Sequence, residues 1–374
     1  MKKILSCLFI LSSLMSLHCY ADNEWPAPAM EPVNETKDVI LPQMDRSSLP
    51  SADIYAYNNH ITANLNPNNT GNYSATVYVC QSNSNSVNGK CPTGVNQSAA
   101  RPLPISLQFT EAKSHIKQDL IVNGIRSNIS NGYYSMGMDM TTTVEGGTGS
   151  ALTLYLPATE LKKLPVGGIW TAKLILSYRF SSRVLSTYTI NFRFDITDKA
   201  NIQVYMPQFG NASTPQIDMN IRPKNGASGK IDGSMGYAGK NTVDMCLYDG
   251  YNTNSSSMVM QFVGVNDGGS GTDTFYLHKN NDASTTLPYK VNFGFSGDTP
   301  GKSLINGQSW SINQAQQLPT NWNRITSVGL PNISVPVLCW PAKLTLSTDL
   351  PAAQASGSYS GTLKIVFTPS TTAM

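Results

Sequence analysis

The sequence is short of charge. Asp, Glu, Lys and Arg make up 13% of its 374 residues, about half the ~25% usual for globular chains. Setting aside Lys2 and Lys3 leaves 24 of the 26 basic residues against 23 acidic ones, a net charge of +1. A balance so close to neutral gives no electrostatic pull towards nucleic acid or an anionic membrane. Beyond the amino terminus no apolar run approaches the ~20 residues of a membrane-spanning helix, so membrane insertion is not expected. Helical periodicity is nearly missing; only Thr159–Leu164 would make a turn. The signatures of catalysis are missing too. There is no HExxH and no G-x-S-x-G, and Gly301-Lys302-Ser303 ends like a phosphate loop but has Ser296 where the first glycine belongs. The chain is therefore not read as an enzyme. There is no CxxC, and His60, His115 and His278 show no ligand spacing, so neither metal nor cofactor is expected.

What fills the gap is Asn, Ser, Thr and Gly, interleaved with β-branched and aromatic residues that recur throughout the chain. That texture suits short strands joined by polar turns, not disorder. Met1–Ala21 reads as a secretory signal: Lys2-Lys3, an apolar stretch from Ile4 to about Leu17, and small residues before a cleavage point after Ala21. Of six cysteines, Cys80, Cys91, Cys246 and Cys339 then remain. An even number in an exported chain points to disulfides, with three pairings open. One bridge per domain, Cys80–Cys91 and Cys246–Cys339, is the simplest.

The stretch Trp170–Pro207 organises the rest. Ala172, Leu174, Leu176, Tyr178 and Phe180 alternate with Lys173, Ile175, Ser177 and Arg179. Further on, Tyr188, Ile190, Phe192, Phe194 and Ile196 alternate with Thr189, Asn191, Arg193 and Asp195. Successive side chains of a strand point to opposite faces, so this is a hairpin of two half-buried strands, with Ser181–Ser186 as its loop. Thr197-Asp198-Lys199-Ala200 is a polar break before the next apolar run, and marks a joint between domains at residues 22–199 and 200–374. Asp22–Pro50 is Pro-rich and reads as an extended arm, with Val39-Ile40-Leu41 available as an edge strand. Many short alternating runs follow on both sides of the joint, Gln216–Ile221 among them. The fold class is all-β, two sandwiches in tandem.

Three segments carry a resemblance: Asn241–Met258 (NTVDMCLYDGYNTNSSSM), Thr320–Ser347 (TNWNRITSVGLPNISVPVLCWPAKLTLS), and Leu161–Leu174 (LKKLPVGGIWTAKL) with its continuation TYTINFRFDITDKANIQVYMPQF. They resemble the tip adhesins of the alternate chaperone–usher (class 5) fimbriae, the CfaE/CblD family. The resemblance implies an amino-terminal adhesin domain and a carboxy-terminal pilin domain, both Ig-like, joined by a very short linker. It implies that the pilin sheet lacks a strand. A periplasmic chaperone would fill the gap first, and in the pilus the extended segment of the next, major pilin subunit would replace it; assembly would be initiated at the outer-membrane usher. Leu363, Ile365 and Phe367, in the last alternating run, would border that groove. The prolines of Asp22–Pro50 make the arm a poor donor strand. The expected place is the fimbrial tip, reached through the periplasm, and the expected role is to bind a host-cell glycoconjugate. The alternative is a structural cap or assembly initiator with no receptor of its own.

In the resembling family basic residues of the adhesin domain serve receptor binding. The positions matching its arginine pair are Arg179 and Phe180, and a further family arginine falls on Ala75, so one of three is kept. By alternation Arg179, Lys173 and Arg193 face outward, and Arg183 lies in the adjoining loop. Together they are expected to form a basic patch for a sugar carboxylate, which a guanidinium can hold with two parallel hydrogen bonds. Tyr133 and Tyr134, in a Gly/Ser/Met-rich loop, are candidates for stacking on a sugar ring. Trp340, next to Cys339, is expected to pack on the disulfide.

Overall fold

The computed structural model describes residues 27–370 apart from 28, 66–72, 97–99, 131, 142–146, 211, 226–228, 230, 232–233, 267–270, 281, 296–300 and 314–324. The signal segment Met1–Ala21 lies outside the described residues. Strands account for nearly all of the regular structure, with a few short 3₁₀ turns; Ala158–Lys163 is the turn foreseen near Thr159.

The first domain is one wrapped nine-stranded sheet. Its strands are β1 (Glu35–Asp45), β2 (Ile54–Asn64), β3 (Thr76–Cys80), β4 (Leu103–Glu111), β5 (Lys117–Ile129), β6 (Tyr133–Gly137), β7 (Gly149–Leu156), β8 (Gly168–Phe180) and β9 (Arg183–Thr197). The path runs β1-β9-β8-β4-β5-β7-β2, with β3 on β8 and β6 on β5. The hairpin β8–β9 is its spine. Tyr188, Ile190, Phe192, Phe194 and Ile196 all face the core and are buried, as alternation requires. Each such side chain withdrawn from water contributes about 1.5–3 kcal/mol. The aromatics pack on one another: Phe109 stacks on Phe194 with ring centroids 5.2 Å apart, and Tyr78 on Tyr178 at 4.8 Å. The buried hydroxyls are kept bonded, Thr76 Oγ1 donating to Tyr178 OH at 2.9 Å.

Two details of the hairpin depart from simple alternation. Its turn is only Ser181–Ser182, with Ser181 in the left-handed region at φ +53°, so Arg183 opens β9 and does not sit in a loop. A bulge at Leu185 also shifts the register: Tyr178 pairs Ser186, but Arg179 pairs Val184 and Phe180 pairs Arg183. Beyond the bulge the sheet leaves the core, and Phe180 is 44% exposed.

The arm becomes a full strand. β1 runs parallel to β9, and the pairing breaks between Leu41 and Met44, where Pro42 has no N–H to give. The ends of the strand path, β1 and β2, are drawn together by Glu35, which accepts from Tyr57 OH at 2.9 Å and pairs His60 Nε2 at 2.8 Å.

The second domain packs two sheets. In the larger, Val337–Leu350 is central, flanked on one side by Tyr237–Tyr248 and on the other first by Asp282–Phe295 and then by Thr326–Val328. Pro341 falls at the change of neighbour, between the last pairing with Asp282–Phe295 and the first with Thr326–Val328, so its missing N–H breaks no ladder there. The smaller sheet has three strands, Ser309–Asn313, Ser257–Val265 and Thr362–Pro369.

Both disulfides form, Cys80–Cys91 and Cys246–Cys339. Trp340 does not pack on the second. It points into the core of its own domain with Leu344 and Leu346, whereas Cys246 and Cys339 belong to the core continuous with the first domain. Neighbours on a strand face opposite ways, and Cys339 and Trp340 are neighbours.

The joint is clamped. Asp198 N donates to Gly250 O at 2.7 Å, and Asp198 Oδ2 receives Arg46 Nη1 at 2.7 Å and Asn201 Nδ2 at 2.8 Å. A Cβ on Gly167 would stand 2.2 Å from Gly250 O, so only glycine permits this approach of the two domains. From the second domain the loop Asp249–Ser255, tied by Asp249 to the N–H groups of Tyr251, Thr253 and Ser255, reaches across. Its Asn254 Nδ2 donates to Glu111 Oε1 at 3.2 Å and its Tyr251 OH to Asp195.

Candidate functional site

Three places in the molecule hold the residues singled out from the sequence. The first is the pole of the first domain remote from the joint. β8 runs from Gly168, beside Ile196, out to Phe180, and β5 runs the same way to Ile129, so Arg179, Arg183, Tyr133 and Tyr134 all lie at the far end. They do not form one surface. Directly paired residues share a face of the sheet, so the bulge puts Arg183 on the side of Phe180, opposite Arg179. Arg179 is half-buried, with Nη1 on Thr93 O at 3.5 Å, which ties it to the segment after Cys91. Tyr133 packs on the small cluster Ile61, Ile129 and Ala151, and only Tyr134, 53% exposed, stands free of it.

The second place is nearer the joint. Lys173 and Arg193 are exposed on the outer face of β8 and β9, and line a shallow concavity of about 530 Å³. Lys173 and Arg179 are six residues apart on one strand, about 20 Å at ~3.3 Å per residue. The single basic patch expected from alternation therefore does not exist. Alternation fixes which face a side chain takes, and does not bring together groups spread along the strand or carry the parity through a bulge. The concavity's other polar residues, Asp38, Asn88, Gln108, Thr110, Thr171 and Asn191, come from five segments, and no spacing in the sequence announces them.

The third place is in the second domain. A groove of about 1380 Å³ separates Thr362–Pro369 from the stretch Ile202–Ile221. Thr362–Pro369 pairs with Ser257–Val265 along one edge, Phe367 opposite Met260 and Ile365 opposite Phe262, and ends the three-stranded sheet. Leu363, Ile365 and Phe367 line the groove half-buried, packed against the core without being closed in by it. Across from them, Ile217, Met219 and Ile221 show the alternation of a strand, yet Gln216–Ile221 joins no ladder among the described residues. Asn220 stands in the left-handed region at φ +53° with its N–H on Asp218 Oδ1 at 2.8 Å, and the segment joins Tyr237–Tyr248 only beyond it, at Arg222–Pro223. The groove has apolar walls and lies beside Thr362–Pro369, the end strand of its sheet.

Among the described residues no three His, Cys, Asp or Glu side chains gather as they would around a metal ion, and no helix is long and apolar enough to cross a membrane.

The described residues form two tandem β-domains, the second with a long apolar groove beside its end strand, and the relatives of the chain give their kind. Family models of the first and second domains of CfaE, from the CFA/I fimbria, match residues 25–199 and 202–371. The CFA/I fimbrial protein CfaE of Escherichia coli is 41% identical over 310 residues, which is 80% of this chain and 81% of that one. The chain belongs to the CfaE family of fimbrial subunits. The crystal structure of CfaE, the adhesive subunit of CFA/I fimbria of enterotoxigenic Escherichia coli, superposes with a TM-score of 0.75 at 37% identity, covering 93% of this chain and 95% of that one. A chain from a chaperone–tip adhesin complex of CFA/I fimbriae biogenesis matches with a TM-score of 0.68 at 34% identity, over 92% of this chain and 99% of that one.

Proposed function

We propose that this protein is the adhesin at the tip of a fimbria. Its second domain accepts a donor strand, first from a periplasmic chaperone and then, once assembly starts at the outer-membrane usher, from the major pilin subunit. Its first domain, residues 22–199, binds a host-cell glycoconjugate. The observation that carries the reading is the groove beside Leu363, Ile365 and Phe367. An extended peptide laid there would pair with Thr362–Pro369 on one side, give Gln216–Ile221 its neighbour on the other, and drop alternate side chains onto the apolar floor. The arm supports the terminal position, because residues 35–45 are already committed to β9 of their own domain. For the receptor, Arg183 and Tyr134 are the exposed candidates at the remote pole, and Arg179 would act from its half-buried place.

Two measurements test this on the full chain. Addition of a peptide from the amino-terminal segment of the major pilin should raise the thermal midpoint by about 10 °C, since a ligand of the native state stabilises by mass action. No rise would end the donor-strand reading. Binding of the chain to erythrocytes or epithelial cells tests the adhesin. A folded, strand-complemented chain that binds no cells would leave only the structural cap.

A further inference from the structure

We infer that the concavity lined by Lys173 and Arg193 is a binding site for an anionic saccharide, separate from the remote pole. The inference rests on the adhesin reading and names a second place and a ligand class within it.

The site arises where two strands part. β4 pairs β8 only at Thr110–Thr171 and Glu111–Trp170; further along, β8 takes β3 as its partner. The Cys80–Cys91 loop plugs the opening. Asn88 O accepts Ile175 N at 3.0 Å, Ser86 O accepts Gln108 N at 2.8 Å, and Lys90 N donates to Ser106 O at 2.8 Å. Gly89, at φ +99°, is wedged over the core. A Cβ there would come within 2.3 Å of Leu174 Cδ1 and 3.3 Å of Ile105 Cγ2. The side chains help as well, Asn85 Oδ1 accepting Val87 N at 2.9 Å and Ser86 Oγ donating to Asp119 Oδ1 at 3.1 Å. A loop of this polar composition would be mobile if left alone. Here it is a fixed wall, and a wall fixed beforehand loses little entropy when a ligand arrives.

The lining has the mix a saccharide needs. Lys173 pairs Asn191 and Arg193 pairs Thr171, so the two cations are diagonal neighbours on one face, with Cβ atoms about 7–8 Å apart. Neither makes an ion pair or hydrogen bond with another described residue. The acid at the rim, Asp38, is already bonded by Asn191 Nδ2 at 2.9 Å. Gln108, Asn88 and the threonines supply donors and acceptors for ring hydroxyls, and Ile40 and Val87, 60% and 49% exposed, offer apolar flanks to sugar C–H faces. The volume lies within the range of about 300–1,000 Å³ typical of small-ligand sites. A neutral sugar would leave two cations unanswered. A carboxylate or sulfate between them takes a forked pair of bonds from Arg193 and the charge of Lys173.

The test is calorimetric titration of the full chain with a sialylated trisaccharide, a sulfated disaccharide and neutral lactose, beside a cell-binding assay. One anionic probe should bind at least about tenfold more tightly than lactose, and which one does so separates carboxylate from sulfate. Lys173→Ala with Arg193→Ala should remove that preference, Arg193→Lys should keep part of it, and Val87→Glu, at an exposed position needing no refolding, should repel both anions. Equal binding of all three probes, no binding of any, or a preference that survives the double variant would overturn the site. Cell binding that persists in that case leaves the adhesin reading standing on the remote pole. Loss of cell binding by the wild type with saccharide preference intact would sink the adhesin reading and spare the site.

Discussion

The two domains solve the problem of sheet edges in opposite ways. The first recruits its own arm as β1, takes it in parallel onto β9, and draws the two ends of the strand path together through Glu35, Tyr57 and His60. The second leaves Thr362–Pro369 paired along one edge and Gln216–Ile221 unpaired, with a groove between them. Both sequences alternate equally well, so the difference does not lie in β-propensity. It lies in whether, among the described residues, a strand pairs along each edge. A domain that completes itself can present a fixed surface. On the proposed function the second domain is completed from outside, and its stability then depends on what fills it.

Truncating one aromatic in each domain gives the sharpest break in that comparison. Phe194→Ala empties a fully buried site stacked on Phe109 and should cost about 3–5 kcal/mol. Phe367→Ala removes a half-buried ring at the groove and should cost about 1 kcal/mol in the uncomplemented chain, because less surface is lost from contact. With a donor peptide bound, the cost of Phe367→Ala should grow towards that of Phe194→Ala. Urea unfolding with and without peptide measures both. Equal costs in the absence of peptide would mean that the groove is already closed.

A smaller effect concerns the joint. Asp198→Asn removes the charge from the bonds with Arg46 and Asn201 while keeping an acceptor, and should weaken the coupling between domains by about 2 kcal/mol. The expected signature is a single thermal transition splitting into two. One transition at an unchanged midpoint would show that the Asp249–Ser255 loop carries the coupling without the clamp.

Much of this comparison was legible in the residues. The hairpin's alternation named its buried face through Tyr178 and from Tyr188 onward, Val39-Ile40-Leu41 named the edge strand, and Thr197–Ala200 marked the joint. Leu363, Ile365 and Phe367 came from the resemblance joined to alternation, and the structure puts all three in the groove. What failed had a common cause. Alternation reports the face of a residue and says nothing of its neighbours in space. It could not see that the bulge at Leu185 turns Arg183 to the side of Phe180, where the sheet has left the core, and it gathered four cations that the strands hold in two separate places; Trp340 was assigned to the disulfide by its nearness to Cys339 in the chain, although neighbours on a strand face opposite ways. The loop wedged between β4 and β8 was hidden for the same reason, since a glycine required by Leu174 and Ile105 looks like any other turn glycine until the fold brings them together.

The smallest expected effect sets the two domains against each other in acid. Burial pulls the Asp45 carboxyl up, but hydrogen bonds from Ser47, Lys199 N and Thr197 outweigh it and hold it at about 2, below its ordinary 3.8. Burial likewise opposes the ionised form of Glu35, and His60 and Tyr57 prevail and hold it low. A carboxyl depressed in the folded state lends stability that is complete above its unfolded value and is lost as pH falls through the folded one. For Asp45 the window is about pH 4 to 2, and its exposure to solvent keeps the contribution below about 1 kcal/mol. In the second domain, burial raises Asp249 above the ordinary range despite the N–H groups it accepts from. Its sign is the reverse: its contribution is complete below the unfolded value and fades as pH rises through the folded one. Falling pH should therefore loosen the seam at β1 while the Asp249 loop holds. Thermal unfolding followed at pH 5, 4, 3 and 2 should show a slope that Asp45→Asn flattens and Asp249→Asn does not. An unchanged slope in Asp45→Asn would place the acid-sensitive element away from Asp45, and would leave Glu35, at the other end of the same strand, as the depressed carboxyl on which self-completion of the first domain depends.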